Sequence, residues 1–138
     1  MPVSLGLQGD KVGIVEATRC ISDQMALMNN SRISEIWLTH AHLGHIEGLG
    51  QFGRESLNSK NIKIRCSDSV ADFVKAHPIW RKLFERNNLI FDTFYSDEIV
   101  PIEVPHRSQD FDTHAIFFKG NENNLLFLPD HDNWDKTL

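Results

Sequence analysis

The feature that most constrains this chain is a short segment, residues 39–45, that carries three histidines within six positions. It follows an apolar run at 36–38 with the pattern of a buried strand, and it precedes a stretch with helical spacing. Functional side chains in α/β proteins commonly lie at such junctions between strand and helix. Crowded imidazoles each need a polar partner to escape a desolvation cost, and a shared metal ion supplies one for all three. The segment therefore predicts a metal site.

The spacing of the three imidazoles allows them to meet at one ion. His40 and His42 lie two residues apart at the end of the strand, where extended backbone points both rings to the same side. His45 follows three residues later, at the start of the predicted helix. Zinc holds nitrogen ligands at about 2.0–2.1 Å, and catalytic zinc sites combine three protein ligands with a water molecule. A site of this kind is what the spacing predicts.

Two further candidate ligands follow later strands. His106 comes after a predicted strand at 99–104, and Asp130 comes after an apolar run at 125–128. Side chains at strand ends occupy the usual position of α/β active sites. Each residue also has a simpler interpretation: an isolated His106 would be a surface residue, and Asp130 could cap a helix that begins nearby. We expect the neighbouring His131 and Asp132 to lie outside the ligand set.

The remaining chain alternates between strand and helix patterns before it turns to strands alone. Strands are predicted over 11–16, 34–38, 62–66, 89–94, 99–104, 113–118 and 125–128, and helices over 21–28, 46–57, 70–74 and 78–84. Ser22 or Asp23 could cap the first helix, residues 67–69 could cap the third, and Pro78 opens the fourth. This order predicts an α/β layered structure whose strands are parallel at first and antiparallel later.

Composition excludes several classes of function. The 138 residues amount to one domain, and the formal net charge of −5, with dispersed basic residues, argues against binding to nucleic acid or to an anionic membrane. No apolar run approaches the roughly 20 residues of a spanning helix, and the first residues lack a secretory pattern. We therefore expect a cytoplasmic protein, in which Cys20 and Cys66 are reduced thiols.

Three separated blocks, in this order, resemble the metallo-β-lactamase fold superfamily: THAHLGH at 39–45, VPHR at 104–107 and FLPDHDNW at 127–134. The same blocks are similar to the branch related to pyrroloquinoline quinone biosynthesis protein B. The resemblance implies an α/β (α+β) fold, a four-layer αββα sandwich. Residues 1–138 would form only its N-terminal half to two-thirds, as a single domain truncated at the C-terminus.

The resemblance also implies roles for individual residues. His40, His42 and His106 would hold the first metal ion. His45 and Asp130 would belong to a second metal site, with Asp130 bridging the two ions as a catalytic residue. Zinc is the expected metal, with iron or manganese as alternatives. A metal-bound water would be the nucleophile, because the ion lowers its pKa toward ~7.

One departure from the family pattern weakens the second metal site. Two-metal members of the superfamily have an aspartate where this chain has Gly44, and glycine can neither bind a metal nor hold a water. A further histidine of that second site lies in the family's C-terminal half. We therefore expect one well-held ion, with the second weak or absent. Glu47 could replace the lost carboxylate, but its helical position favours a solvated side chain.

Three functions remain open at this point. The first is a metal-dependent hydrolase that acts on a small molecule. The second is a biosynthetic or accessory protein with a redox metal, which Gly44 favours because it weakens the two-metal arrangement. The third is a non-catalytic fragment, whose uncovered apolar sheet face would promote self-association, including a homodimer. A tRNA-processing nuclease of the same fold is disfavoured by the acidic charge balance.

Overall fold

Two β-sheets form the framework of the protein in the computed structural model, which describes residues 3–136. The first sheet has five strands in chain order: β1 Leu5–Gln8, β2 Val12–Val15, β3 Glu35–Trp37, β4 Ile62–Arg65 and β5 Leu89–Asp92. Strands β2 to β5 are parallel, whereas β1 pairs with β2 as an antiparallel hairpin. The parallel part confirms the order expected from strand–helix alternation.

The second sheet has three antiparallel strands, β6 Ile99–Glu103, β7 His114–Phe118 and β8 Leu125–Phe127. Pro101 is tolerated within β6 because this strand lies at the edge of the sheet, where a missing N–H costs no ladder hydrogen bond. Since β6 and β8 both run opposite to β7, their carboxyl ends lie at the same edge.

Four helices connect the strands of the first sheet: α1 Ile21–Leu27, α2 Leu43–Ile46, α3 Asp68–Ala76 and α4 Pro78–Glu85. The Ser67 hydroxyl accepts from the N–H of Val70 and so caps α3, as predicted. Pro78 stands in the first turn of α4, where its missing N–H has no helical partner to lose.

Two hydrophobic clusters separate three layers. The larger cluster joins the helices to one face of the first sheet and includes Ile14, Ile36 and Ile64. The smaller cluster joins the other face to the second sheet, where Val15 and Trp37 pack with residues of the three-stranded sheet. Neighbouring residues on a strand point to opposite faces, so Ile14 and Val15 serve different clusters. The layers confirm an α/β fold with two facing sheets and helices outside the first.

Two elements differ from the prediction. The helix expected over 46–57 is instead the short α2 followed by a 3₁₀ helix, Glu47–Phe52, and then turns. The glycines lower α-helical propensity there, and Gly48 is drawn against a neighbouring loop. Strand β1 was not predicted.

The predicted cap of α1 by Ser22 or Asp23 is also wrong. The N-cap is Cys20, which makes no side-chain cap hydrogen bond. Thr18 Oγ1 accepts from the Cys20 N–H at 3.1 Å and so fixes the turn just before the helix, while the Cys20 carbonyl accepts from the N–H groups of Asp23 and Gln24. At the other end of the chain, where we expected a helix to start, Trp134–Lys136 form a 3₁₀ turn, and residues 137–138 lie outside the described part.

None of the helices within residues 3–136 has the length and apolar character that crossing a bilayer requires.

Candidate metal centre

Three imidazole nitrogens converge at one edge of the two sheets. His40 Nε2 lies 3.0 Å from His42 Nδ1, and His106 Nε2 lies 3.2 Å from the same His42 atom. One ligand atom from each of the three residues falls within 4.8 Å of the others. Nitrogens bound tetrahedrally at about 2.0–2.1 Å would be separated by roughly 3.3 Å. The three side chains therefore fit a tetrahedral ion such as zinc with little movement.

Hydrogen bonds on the far side of two rings leave the converging nitrogens unprotonated. Thr39 Oγ1 donates to Glu16 Oε1 at 2.5 Å and lies 2.9 Å from His40 Nδ1, so it accepts from that ring nitrogen. His106 Nδ1 donates to Asp132 Oδ1 at 2.9 Å. In both rings Nε2 then carries the free lone pair. Such outer partners orient metal-binding histidines and fix their tautomer.

Burial and neighbouring imidazoles keep the rings of His40 and His42 neutral. Burial, together with the neighbouring imidazoles, lowers the pKa of His40 to about 2. Burial and the adjacent His106 ring lower the pKa of His42, although a hydrogen bond to the backbone of Arg107 acts in the opposite direction. A metal ion binds the neutral ring, so these two residues are suited to ligation near neutral pH.

His45 and Asp130 form a second group beside the first. His45 Nε2 lies 3.0 Å from Asp130 Oδ2, and the same carboxylate oxygen lies 3.7 Å from His40 Nε2. Asp130 is thus positioned between the two groups of histidines. The structure brings together all five residues that the sequence singled out: His40, His42, His45, His106 and Asp130.

Glu16 is the member of this centre that sequence reasoning missed. Its side chain is fully buried, with Oε1 3.4 Å from His45 Nδ1, and Glu16, His40 and His45 form a second set of potential ligands. Burial raises the pKa of Glu16 despite its contacts with His45 and Thr39. Oε2 has no hydrogen-bond partner, and the backbone has a strained positive φ of 68°.

The contact between Glu16 and His45 also changes the pKa of His45. Burial alone would lower the pKa of His45, but contacts with Glu16 and Asp130 outweigh it and raise the pKa. A carboxylate on the far nitrogen of a histidine is a frequent outer partner in metal sites. The signal available in the sequence was a lone acidic residue at the end of the strand predicted over 11–16. The structure pairs this strand with the one that precedes the histidines.

Backbone hydrogen bonds hold the histidine segment against the exit of β2. The Ala17 N–H donates to the His45 carbonyl at 2.9 Å, and the Gly48 N–H donates to the Ala17 carbonyl at 2.8 Å. A Cβ at Gly48 would lie 2.2 Å from the Thr18 carbonyl oxygen. Only glycine permits this approach, which explains one glycine of the segment after the histidines.

Two backbone hydrogen bonds hold the second sheet and its loops at the edge where the histidines converge. The His114 N–H donates to the Thr39 carbonyl at 3.0 Å, and the Asp132 N–H donates to the Pro105 carbonyl at 2.9 Å. The first bond joins β7 to the histidine segment, and the second joins the two loops that carry His106 and Asp130. The centre therefore depends on contacts between both sheets.

Other residues considered from the sequence lie outside the two groups. Glu47 is exposed in the 3₁₀ helix, and His114 is buried beside Phe94. Asp132 does not converge with the ligands but contacts His106 from behind, as expected. The His131 ring lies 4.1 Å from that of Trp134.

Gly44 leaves room where a carboxylate would stand. A Cβ added there would meet no atom within 4 Å. In the described part of the chain the second group therefore consists of His45, Asp130 and Glu16, and position 44 adds no ligating side chain to it.

Comparison with known proteins identifies the fold. No family model matches the sequence, and no curated protein does. Among solved structures, zinc-bound PqqB from Methylobacterium extorquens matches with a TM-score of 0.74 at 12% identity, covering 96% of this chain and 54% of that one. A diphosphatase of the PhnP family matches with a TM-score of 0.62 at 18% identity, covering 83% and 47%. YhfI from Bacillus subtilis, a metallo-β-lactamase fold protein, matches with a TM-score of 0.65 at 15% identity, covering 89% and 54%.

These similarities, together with the two sheets and the histidine cluster at their edge, give the chain the metallo-β-lactamase fold. Among its similar structures is PqqB, the protein whose branch the sequence blocks resemble. The chain spans about half the length of the solved structures that it matches.

Proposed function

We propose that this protein is a metal-dependent hydrolase that acts on a small-molecule substrate. The observation that carries the proposal is the convergence of three imidazole nitrogens, one from each of His40, His42 and His106, within 4.8 Å of one another. The lowered pKa values of His40 and His42 keep both rings neutral, and the tautomer of His40 directs its free lone pair to the cation. Zinc suits the nitrogen-rich set, and iron or manganese are the alternatives.

We assign separate roles to the metal ligands, to Asp130 and to the residues behind the ligands. His40, His42 and His106 would hold the ion, which when bound supplies a nucleophilic water and polarises the substrate. Asp130 faces the ligand nitrogens with about a third of its side chain exposed, 34%. Its carboxylate is positioned to orient a water molecule and to accept a proton from it. Thr39 and Asp132 hold the His40 and His106 rings in place.

A second candidate function is a biosynthetic or accessory protein that uses a redox metal. Two observations favour it: the likeness in fold to PqqB, and the glycine at position 44 that leaves the second metal group incomplete. Three histidines with open coordination positions also suit ferrous iron.

Elemental analysis of the purified protein, before and after titration with zinc, manganese and ferrous iron, tests the metal site. We expect one tightly held ion per chain in the wild type and its loss in His42→Ala. His77→Ala is the matched control, since His77 is exposed and belongs to neither ligand group. A wild type that takes up none of these metals would overturn the proposal.

Activity assays separate the two candidate functions. A hydrolase loaded with zinc or manganese should cleave esters or phosphodiesters and lose this activity in His42→Ala. Oxygen consumption by the iron-loaded protein, without any hydrolysis, would favour the redox function instead.

A further inference from the structure

An open cleft of about 520 Å³ lies directly beside the metal centre. Its walls come from the histidine segment, from α3 and α4, and from the loop that follows His106. Volumes of 300–1,000 Å³ are typical of sites for small organic ligands. The cleft is therefore large enough for the body of a substrate whose reactive group reaches the metal centre.

Phe73, Trp80 and Phe111 give the cleft a partly aromatic wall. Phe73 and Phe111 meet edge to face with ring centroids 5.0 Å apart, and Phe73 lies 5.1 Å from the His77 ring. His77 in turn lies 4.9 Å from Trp80. A planar ligand can stack on the faces of such rings or pack against their edges.

The two walls are tied together, so the cleft is formed before any ligand arrives. Asp112 accepts hydrogen bonds from the hydroxyls of Ser67 and Ser69 at the start of α3, the second at 2.7 Å, and its own N–H donates to Ser69 at 3.0 Å. Phe111, the preceding residue, is only 9% exposed. A rigid wall reduces the entropy that binding would otherwise lose.

The cleft is continuous with the metal centre through His42. This residue lines the cleft and also provides Nδ1 to the group of converging nitrogens. Its ring contacts Phe111 edge to face, with centroids 5.2 Å apart. A ligand seated on the aromatic wall would therefore extend directly toward the candidate ion.

Charge distinguishes this cleft from a site for phosphate-bearing ligands. Within residues 3–136, no lysine or arginine lines it, and Asp110 is its one carboxylate. The nearest basic residue along the loop, Arg107, has a side chain that is 82% exposed and lies 3.9 Å from Asp132. An anionic group in the body of the cleft would lose hydration and meet the carboxylate of Asp110 without a lysine or arginine to compensate.

We propose that this cleft binds an uncharged, planar aromatic group of the substrate and so selects aryl or similarly apolar substrates over phosphorylated ones. The proposal rests on the proposed function only for the reaction itself, because the aromatic wall does not require a bound metal. Phe73, Trp80 and Phe111 are the specificity residues.

Calorimetry on protein stripped of metal with EDTA tests binding by the cleft alone. The probes are 2-naphthol, which is uncharged, and 2-naphthyl phosphate, which adds a dianion to the same ring system. We expect 2-naphthol to bind, and to bind about ten-fold more tightly than the phosphate ester. Absence of 2-naphthol binding, or preference for the phosphate ester, would overturn the proposal.

Variants locate the bound ring. Phe73→Leu and Trp80→Leu retain apolar bulk but remove an aromatic surface, and each should weaken 2-naphthol binding about ten-fold. Ile79→Ala is the matched control, because Ile79 is adjacent to Trp80 on α4, is 77% exposed and lies outside the cleft. Unfolding midpoints of the variants establish that they are folded. Unchanged binding in both folded leucine variants would place the probe elsewhere and contradict the proposal.

A last variant separates this inference from the proposed hydrolase. His106→Ala removes a candidate metal ligand that does not line the cleft. It should lose the metal yet bind 2-naphthol as the wild type does. If the wild type binds 2-naphthol but no metal, the proposed function fails and the cleft assignment stands. If the wild type binds a metal but not 2-naphthol, only the cleft assignment is overturned.

Discussion

Each converging imidazole in this protein has a hydrogen-bond partner away from the metal centre. Thr39 contacts His40, the backbone of Arg107 contacts His42, and Asp132 contacts His106. Without an ion, three crowded rings would each lose hydration and gain few hydrogen bonds to compensate for the loss. The partners make the arrangement specific, because they select the tautomer and the ring orientation that a metal requires.

We expect the residue at position 44 to limit how many ions the centre can hold. Because an added Cβ would meet nothing within 4 Å, Gly44→Asp should fold normally and supply the missing carboxylate beside His45. We expect the number of tightly bound zinc or manganese ions to rise from one per chain toward two, as measured by elemental analysis after dialysis.

Gly50→Asp provides the matched control for this substitution. Gly50 also has open space for a Cβ, and it lies in the 3₁₀ helix, outside both ligand groups. Its metal content should stay at the wild-type value. An unchanged metal content in Gly44→Asp would show that glycine is not what limits the second site.

Strand ends bring the candidate ligands together at the scale of secondary structure. Parallel strands β2 and β3 end at one edge, where they place Glu16 and the histidine segment. Strands β6 and β8 flank β7 and run in the same direction, so His106 and Asp130 follow strand ends at the same edge of the second sheet. Residues more than 60 positions apart, such as His42 and His106, thus meet without a long connecting loop.

An ion network links three strands of the first sheet. Arg65 on β4 donates from Nε to Glu35 on β3 at 2.9 Å, and a second guanidinium nitrogen lies 3.2 Å from Asp92 on β5. The Arg65 side chain is 11% exposed, and its guanidinium carbon lies 5.2 Å from the centre of the Trp37 ring. This arrangement satisfies a nearly buried charge between the two sheets.

Arg65→Met should destabilise the protein by about 3 kcal/mol, because it leaves the nearly buried Glu35 without its partner and Asp92 with Lys63 alone. The free energy of unfolding from urea titration measures the effect. Arg81→Met is the control: Arg81 pairs with Glu85 on the exposed face of α4, where its side chain is 52% exposed, so we expect a change within about 0.5 kcal/mol. Equal stability of the two variants would show that the network contributes little.

At the scale of the whole molecule, the second sheet has an outer face that is only partly covered. Val100, Ile102, Phe117 and Leu126 share this face by register and alternation, and Ile102 and Leu126 are 41% and 49% exposed. The opposite face of the same sheet packs into the cluster between the sheets. Contiguous apolar surface of this kind promotes association between molecules.

We expect the chain of residues 1–138 to self-associate through this outer face. Leu126→Lys should shift sedimentation toward the monomer and lower the fluorescence of a bound hydrophobic dye. Leu27→Lys is the control, since Leu27 is 87% exposed on α1 in the helical layer. A wild type that is monomeric at high concentration and binds no dye would contradict this prediction.

Local patterns in the sequence were sufficient for most elements. Alternating or continuous apolar runs predicted strands β2 to β8, and the Ser67 cap and Pro78 marked the starts of α3 and α4. The predictions failed where a distant contact overrides local preference. The 3₁₀ helix at Glu47–Phe52 follows the approach of Gly48 to a loop 30 residues earlier, which no local pattern encodes.

By itself, the sequence predicted an α/β layered structure and the identities of the candidate ligands, and the two facing sheets followed from the family resemblance. Imidazole and carboxylate chemistry, repeated at the ends of apolar strands, was enough to single out His40, His42, His45, His106 and Asp130. Only the tertiary structure added Glu16 and the aromatic cleft, and only it located the expected apolar face on the second sheet. These features depend on which residues meet across sheets and loops, and the spacing of residues along the chain does not predict such contacts.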